Sequence, residues 1–156
     1  MKATLGLAVI AALAAGALTG CAPTVALTPA GDATSAKCAG VIVRLPSTVS
    51  TLAQRQTDAQ GTSAWGEPAD ILLRCGVPVP DPTATLPCIT IDGIDWLQKA
   101  DRDEVYVFTT YGRNPAIAVT INTKDVDADP GRALSDLAKA VASIPSRHHC
   151  IAPSQG

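Results

Sequence analysis

Asp92 and Asp95 stand three residues apart, just before Trp96. That spacing could supply the two carboxylates of an acid–base hydrolase, with Arg74 or Arg113 as the positive partner. Asp92 also precedes a glycine, and turns favour aspartate without any chemistry. Asp125, Asp127 and Asp129 repeat the one-three-five carboxylate spacing of a calcium loop, with Asp136 at the twelfth position. Pro130 occupies the sixth position, where the sharp turn needs glycine, so an acidic turn ahead of a helix is the better reading. His148 and His149 are the only histidines and adjoin Cys150. They lack metal-ligand spacing, and without an orienting partner they are poor general bases. No Gly-x-Ser-x-Gly, Ser-x-x-Lys, Cys-x-x-Cys, His-Glu-x-x-His or glycine-rich phosphate loop occurs, so neither a metal nor a cofactor is expected.

A second set of residues could bind rather than react. Trp65, Arg74, Trp96, Tyr111 and Arg113 place large rings beside glycines and two arginines on neighbouring strands. In a chain that is 3% aromatic, such rings either fill the core or line a recessed surface for a sugar, an anionic polymer or a protein edge. The net charge of −2 supplies no basic field for a phosphate backbone, so nucleic acid is not expected as a partner.

The N-terminus addresses the chain. Met1-Lys2 is a short positive region, Leu5 to Leu18 an uncharged apolar run, and Leu18-Thr19-Gly20-Cys21 resembles a lipobox. Residues 1–20 are therefore expected to be a lipoprotein signal peptide, with diacylglyceryl and palmitate chains on Cys21. The apolar run is shorter than the roughly 20 residues of a membrane span. Two acyl chains hold a domain stably at a bilayer, here the extracytoplasmic face of the cell membrane. Pro, Thr, Ala and Gly dominate 21–36, which reads as a flexible tether, leaving 37–152 as one domain.

Positioning those residues falls to a mixed set of elements. Cys38, Val41, Ile42 and Leu45 have helical spacing, with Ser35 as cap and Pro46 as stop. Val49, Leu52 and Ala53 extend a weaker helical spacing, and the polar run Gln54 to Ser63 reads as a surface loop. Ile71 to Val77 alternates as a strand, and Asp92-Gly93 is a hairpin turn. Val105–Tyr111 and Ile117–Ile121 pair across Gly112–Pro115. Asp129 then caps a helix with Pro130 at its first position and a stripe of Leu134, Leu137, Ala138, Val141 and Ile144. The expected fold is α+β: an antiparallel sheet of about four strands with the N- and C-terminal helices on one face.

Five cysteines are odd for an exported chain, but a lipidated Cys21 leaves four, and two disulfides. Of three pairings, the expected one joins Cys75 with Cys88, which bracket the proline loop, and Cys38 with Cys150, which lie in or just after two terminal helices expected to be neighbours on the sheet.

The ordered pattern Leu45-Pro46, Ala64-Trp65-Gly66, Leu73-Arg74-Cys75-Gly76-Val77, Cys88, Ile91-Asp92-Gly93-Ile94-Asp95-Trp96 and Thr110-Tyr111-Gly112-Arg113 with Pro115 resembles domain-of-unknown-function family 3515. The resemblance implies an actinobacterial secreted protein or lipoprotein and no established activity. The expected function is a membrane-anchored cell-envelope lipoprotein, a non-catalytic binding or scaffolding module for a cell-wall polymer or a membrane-protein partner. The alternative is an envelope hydrolase using Asp92 or Asp95.

Overall fold

The computed structural model describes residues 23–82, 85–101, 103–124 and 127–150. In chain order its elements are α1 (Ala36–Ile42), β1 (Thr48–Val49), β2 (Leu52–Arg55), β3 (Thr62–Trp65), β4 (Ile71–Val77), β5 (Cys88–Ile91), β6 (Ile94–Ala100), β7 (Val105–Thr110), β8 (Ala116–Asn122) and α2 (Pro130–Val141). The strands form one eight-stranded sheet in the order β1-β2-β3-β4-β8-β7-β6-β5. All pairings are antiparallel, so two consecutive meanders meet at β4 and β8.

This overturns the four-stranded α+β expectation: the fold is mostly antiparallel β, with two short helices. The extra strands are physically inconspicuous. β1 and β2 have two and four residues, too few to show a period, and Ser50 turns between them at φ 58°. β3 begins with Thr62 and Ser63, which are buried although polar. Their hydroxyls are satisfied locally, Ser63 Oγ accepting from Gln54 Nε2 at 2.8 Å and Thr62 Oγ1 donating to Ala59 O at 2.6 Å.

Register builds the core. Ile71 faces Ile121, Leu73 faces Val119 and Cys75 faces Ile117 across the central pair, and Phe108 faces Val119 on the next strand. These side chains join Trp65, Trp96, Val41 of α1 and Leu134, Leu137 and Val141 of α2 in one buried cluster. Leu72, Arg74, Ala118 and Thr120 alternate with them and are half-buried on the other face. α1 is capped by Ser35 Oγ, which accepts from Lys37 N, but ends at Ile42 rather than Leu45. α2 starts as expected, with Asp129 Oδ1 accepting from Arg132 N at 2.7 Å and Pro130 in the first turn.

The disulfides are Cys38–Cys75 and Cys88–Cys150, not the expected Cys75–Cys88 and Cys38–Cys150. Strand order explains the correction. β4 and β5 lie four positions apart in the sheet, about 19 Å at ~4.8 Å per strand, whereas bridged Cα atoms lie within about 7 Å. The observed Cα separations are 5.6 and 5.8 Å. One bridge pins α1 to the central strand, the other pins edge strand β5 to the C-terminal tail.

From Pro23 onward the segment read as a tether bonds to the domain. Val25 N donates to Gln56 O at 2.8 Å, Asp58 N donates to Val25 O at 3.3 Å, and Leu27 N donates to Asp58 Oδ1 at 2.8 Å. Arg55 Nη2 donates to Pro23 O at 2.6 Å, and Asp32 N donates to Gly76 O at 3.1 Å. Residues 23–35 are thus a strap bonded along the domain. Gly76, at φ 94°, admits it: a Cβ there would stand 2.4 Å from Ala33 N.

Candidate functional site

The five candidate binding residues do not converge. Trp65 and Trp96 are both 0% exposed, on β3 and β6, four strand positions apart. Trp65 Nε1 donates to Pro46 O at 3.1 Å, while Trp96 Nε1 has no hydrogen-bond partner among the described residues. Burying about 200 Å² of ring at about 25 cal/mol per Å² is ~5 kcal/mol for each, which identifies both as core residues. Arg74 is half-buried on the sheet face opposite Leu73. Only Tyr111 and Arg113 meet.

They meet in a cleft of about 270 Å³ lined also by Val79, Pro80, Asp81, Pro82, Gly112, Asn114, Arg147 and His148. β7 ends at Thr110, and the turn 111–115 enters β8 through a cis Asn114–Pro115 bond. The tail crosses this turn closely: Arg147 N donates to Gly112 O at 2.8 Å, and Arg113 bridges to Ser146. A Cβ on Gly112, which has φ 73°, would lie 2.1 Å from His148 O. The Tyr111 and His148 rings are tilted at 44° with centroids 6.5 Å apart. Arg113 is 5% exposed and donates Nη1 to Ile144 O, just beyond α2. Burial pulls its pKa down, the negative charge of Asp95 opposes this, and the guanidinium stays charged.

Asp95 does not line the cleft but bonds the turn and the tail that do. It is 4% exposed; its Oδ1 accepts from Thr90 Oγ1 at 2.5 Å, and its Oδ2 contacts His149 Nδ1 at 2.9 Å and accepts from Cys150 N at 3.3 Å. Its backbone carbonyl accepts from Tyr111 N at 2.8 Å. Burial acts to raise the Asp95 pKa, but the bonds from Thr90, His149 and Cys150 and the charge of His149 outweigh it, and the carboxyl titrates below its ordinary range. Asp92 does not join it: at φ 48° in the β5–β6 turn it accepts from Ser135 Oγ of α2. The two aspartates hold different elements together.

The structure also gives His149 the orienting carboxylate that the sequence does not reveal. Only the position of Cys150, whose bridge brings the tail onto β5, carries a trace of that contact. Among the carboxylates of the calcium-like run, Asp125 lies outside the described residues. Asp129 caps α2 and Asp136 Oδ2 accepts from Ser50 N at 2.7 Å. No group of three His, Cys, Asp or Glu among the described residues is arranged to hold a metal.

A larger groove of about 560 Å³ lies between α1 and the β2–β3 connection. Ala39, Ile42 and Val43 form one wall, and Gln54, Gln56, Thr57 and Gln60 the other. Reading Gln54–Ser63 as a loop hid it.

A family model described as a protein of unknown function (DUF3515) matches residues 2–149. The chain belongs to the DUF3515 family. No curated protein and no solved structure matches it. Among the described residues of this DUF3515 protein, no helix is long and apolar enough to cross a membrane.

Proposed function

We propose that this DUF3515 protein is a cell-envelope lipoprotein, anchored at Cys21 on the extracytoplasmic face of the membrane. In this reading its domain binds an anionic group of a wall polymer or membrane-protein partner without transforming it. The observation that carries the binding role is the cleft. Arg113 and Arg147 line it with Tyr111 and His148, and Asp81 is the one carboxylate of the lining. Arg147 is exposed, whereas Arg113 is buried, gives Nη1 to Ile144 O and faces the charge of Asp95, so Arg147 is the cation open to a ligand. Guanidinium forks match carboxylate and phosphate geometry, and an aromatic neighbour adds a face for packing.

The strap sets where the described chain begins relative to the cleft. Arg55 bonds Pro23 O and Gly66 O, so the chain two residues after Cys21 is held near the start of β4. The cleft flanks the turn that enters β8, at the other end of the β4–β8 pair. Seven residues of strand separate the two ends, so the cleft lies roughly 20 Å from the end of the sheet where Pro23 is bonded.

A photo-crosslinker replacing the exposed Asn114, in living cells, is expected to capture one dominant partner, and capture should weaken in Arg147→Ala. A spread of unrelated products of similar yield overturns the binding role. Cys21→Ala should release the protein from membranes and abolish labelling by a palmitate analogue; retention without label overturns the anchor.

One observation favours the hydrolase reading. His149, held through Nδ1 by Asp95, has the carboxylate-oriented imidazole of acyl-transfer enzymes, and its side chain is 71% exposed. Under this reading His149→Ala abolishes turnover of wall fragments while the fold persists. No turnover by the wild type ends it.

A further inference from the structure

We infer that the groove beside α1 is a second binding site, separate from the Tyr111 cleft, and that it takes an uncharged saccharide. Its volume of about 560 Å³ falls within the roughly 300–1,000 Å³ typical of ligand pockets and is about twice that of the cleft.

The lining selects against charge. Arg55 is its one charged residue; Nη1 and Nη2 are taken by Glu67, Gly66 O and Pro23 O, and Nε is buried, with no hydrogen-bond partner among the described residues. A charged ligand would lose hydration here with no counter-charge to replace it. The remaining polar wall consists of neutral amides and hydroxyls, each able to serve sugar hydroxyls, which both donate and accept. Gln54 Nε2 bonds Ser63 Oγ at 2.8 Å, which leaves its amide oxygen and the Ser63 proton for a ligand. Gln56 and Gln60 are exposed at the rim.

Opposite them Val43, 78% exposed, and Ile42 offer an apolar surface of the kind that packs on the C–H face of a pyranose ring. A peptide is disfavoured because backbone edges here are already paired. Gln54 N donates to Ser47 O, Val25 N to Gln56 O and Cys75 N to Gly61 O, leaving these positions closed to strand addition. The walls are also fixed before any ligand arrives. The Cys38–Cys75 bridge holds α1, and Asp32 N, bonded to Gly76 O, holds the strap residues that close one side. Preorganisation of this kind reduces the entropic cost of binding.

The test is calorimetry and saturation-transfer NMR on the oxidised full chain in detergent, with three probes. These are a neutral β-linked glucose trisaccharide, its cationic amino analogue and its anionic uronate analogue. Saturable binding of the neutral sugar is expected, with the charged analogues at least tenfold weaker. Gln56→Ala with Gln60→Ala, and separately Val43→Asp, should each weaken it about tenfold, or 1.4 kcal/mol, at unchanged melting temperature. Arg147→Ala, which disables the other cleft, should leave it unchanged.

The inference is overturned by any of four results. The neutral sugar fails to bind up to roughly 10 mM; the charged analogues bind equally; neither groove variant weakens binding; or an uncharged tripeptide binds more tightly than the sugar.

Discussion

Asp95 Oδ2 and His149 Nδ1 meet at 2.9 Å across 54 positions of sequence, and the contact joins β6 to the C-terminal tail. The carboxylate end is buried and the imidazole end mostly in water, so the aspartate carries the energetic consequence. Its folded pKa lies below the unfolded one, so its contribution is fully present above about pH 4 and disappears as pH falls through the folded value. Urea unfolding as a function of pH should show wild-type stability declining below about pH 4. Asp95→Asn should flatten that decline and remove ~1.5–3 kcal/mol at neutral pH, the usual loss for hydrogen bonds to a buried charge. Equal acid slopes in the two proteins would contradict this account.

The disulfide pairing is directly checkable. Proteolysis under non-reducing conditions should release a Cys38–Cys75 peptide pair and a Cys88–Cys150 pair. The sequence separations of 37 and 62 give loop-entropy contributions of about 4 kcal/mol each. Set against a typical domain stability of ~5–15 kcal/mol, loss of both bridges should unfold the protein near 37 °C, and loss of either should lower its melting temperature well below wild type. A Cys75–Cys88 peptide would refute the strand order as well as the pairing.

Gly76 and Gly93 separate two costs that look alike in sequence. Both have positive φ, 94° and 75°, but a Cβ at Gly93 meets nothing within 4 Å. Gly93→Ala should therefore cost only the backbone strain, about 1 kcal/mol. At Gly76 the added carbon strikes backbone atoms of Asp32 and Ala33, so the strap must lift. Gly76→Ala should cost at least ~3 kcal/mol and expose the Asp32 amide to hydrogen exchange. Comparable destabilisation by the two substitutions would rule out tight seating of the strap.

What was legible in the sequence follows from how local each signal is. Ile71–Val77 and Ala116–Asn122 are long enough for period-two burial to show, and both helix starts announce themselves through Ser35 and Asp129. Val49, Leu52 and Ala53 fit either period over so few residues, and buried Thr62 and Ser63 disguise a strand as a loop. The cysteine pairing depends on β5 lying at the far edge of the sheet, which no local pattern encodes. Of the site, Tyr111 and Arg113 could be found because a ring and a cation flank a turn glycine. Arg147, His148 and the Asp95–His149 contact could not, since only the folded tail brings them there.

Arg113 and Arg147 line one cleft but should fail in different ways. Arg113 is buried, gives a hydrogen bond to Ile144 O, and faces the charge of Asp95. Arg113→Leu leaves that carboxylate without its nearby buried cation and the Ile144 carbonyl without a donor, so a loss of ~3–5 kcal/mol is expected. Arg147 is exposed, and its side chain can be truncated within about 0.5 kcal/mol of wild-type stability. Thermal melts should therefore separate the variants sharply. Crosslinking from position 114 should fall in Arg147→Ala even though that protein melts like wild type. If Arg147→Ala keeps full crosslinking and Arg113→Leu loses it only in proportion to unfolding, the cleft is a structural joint rather than a binding site.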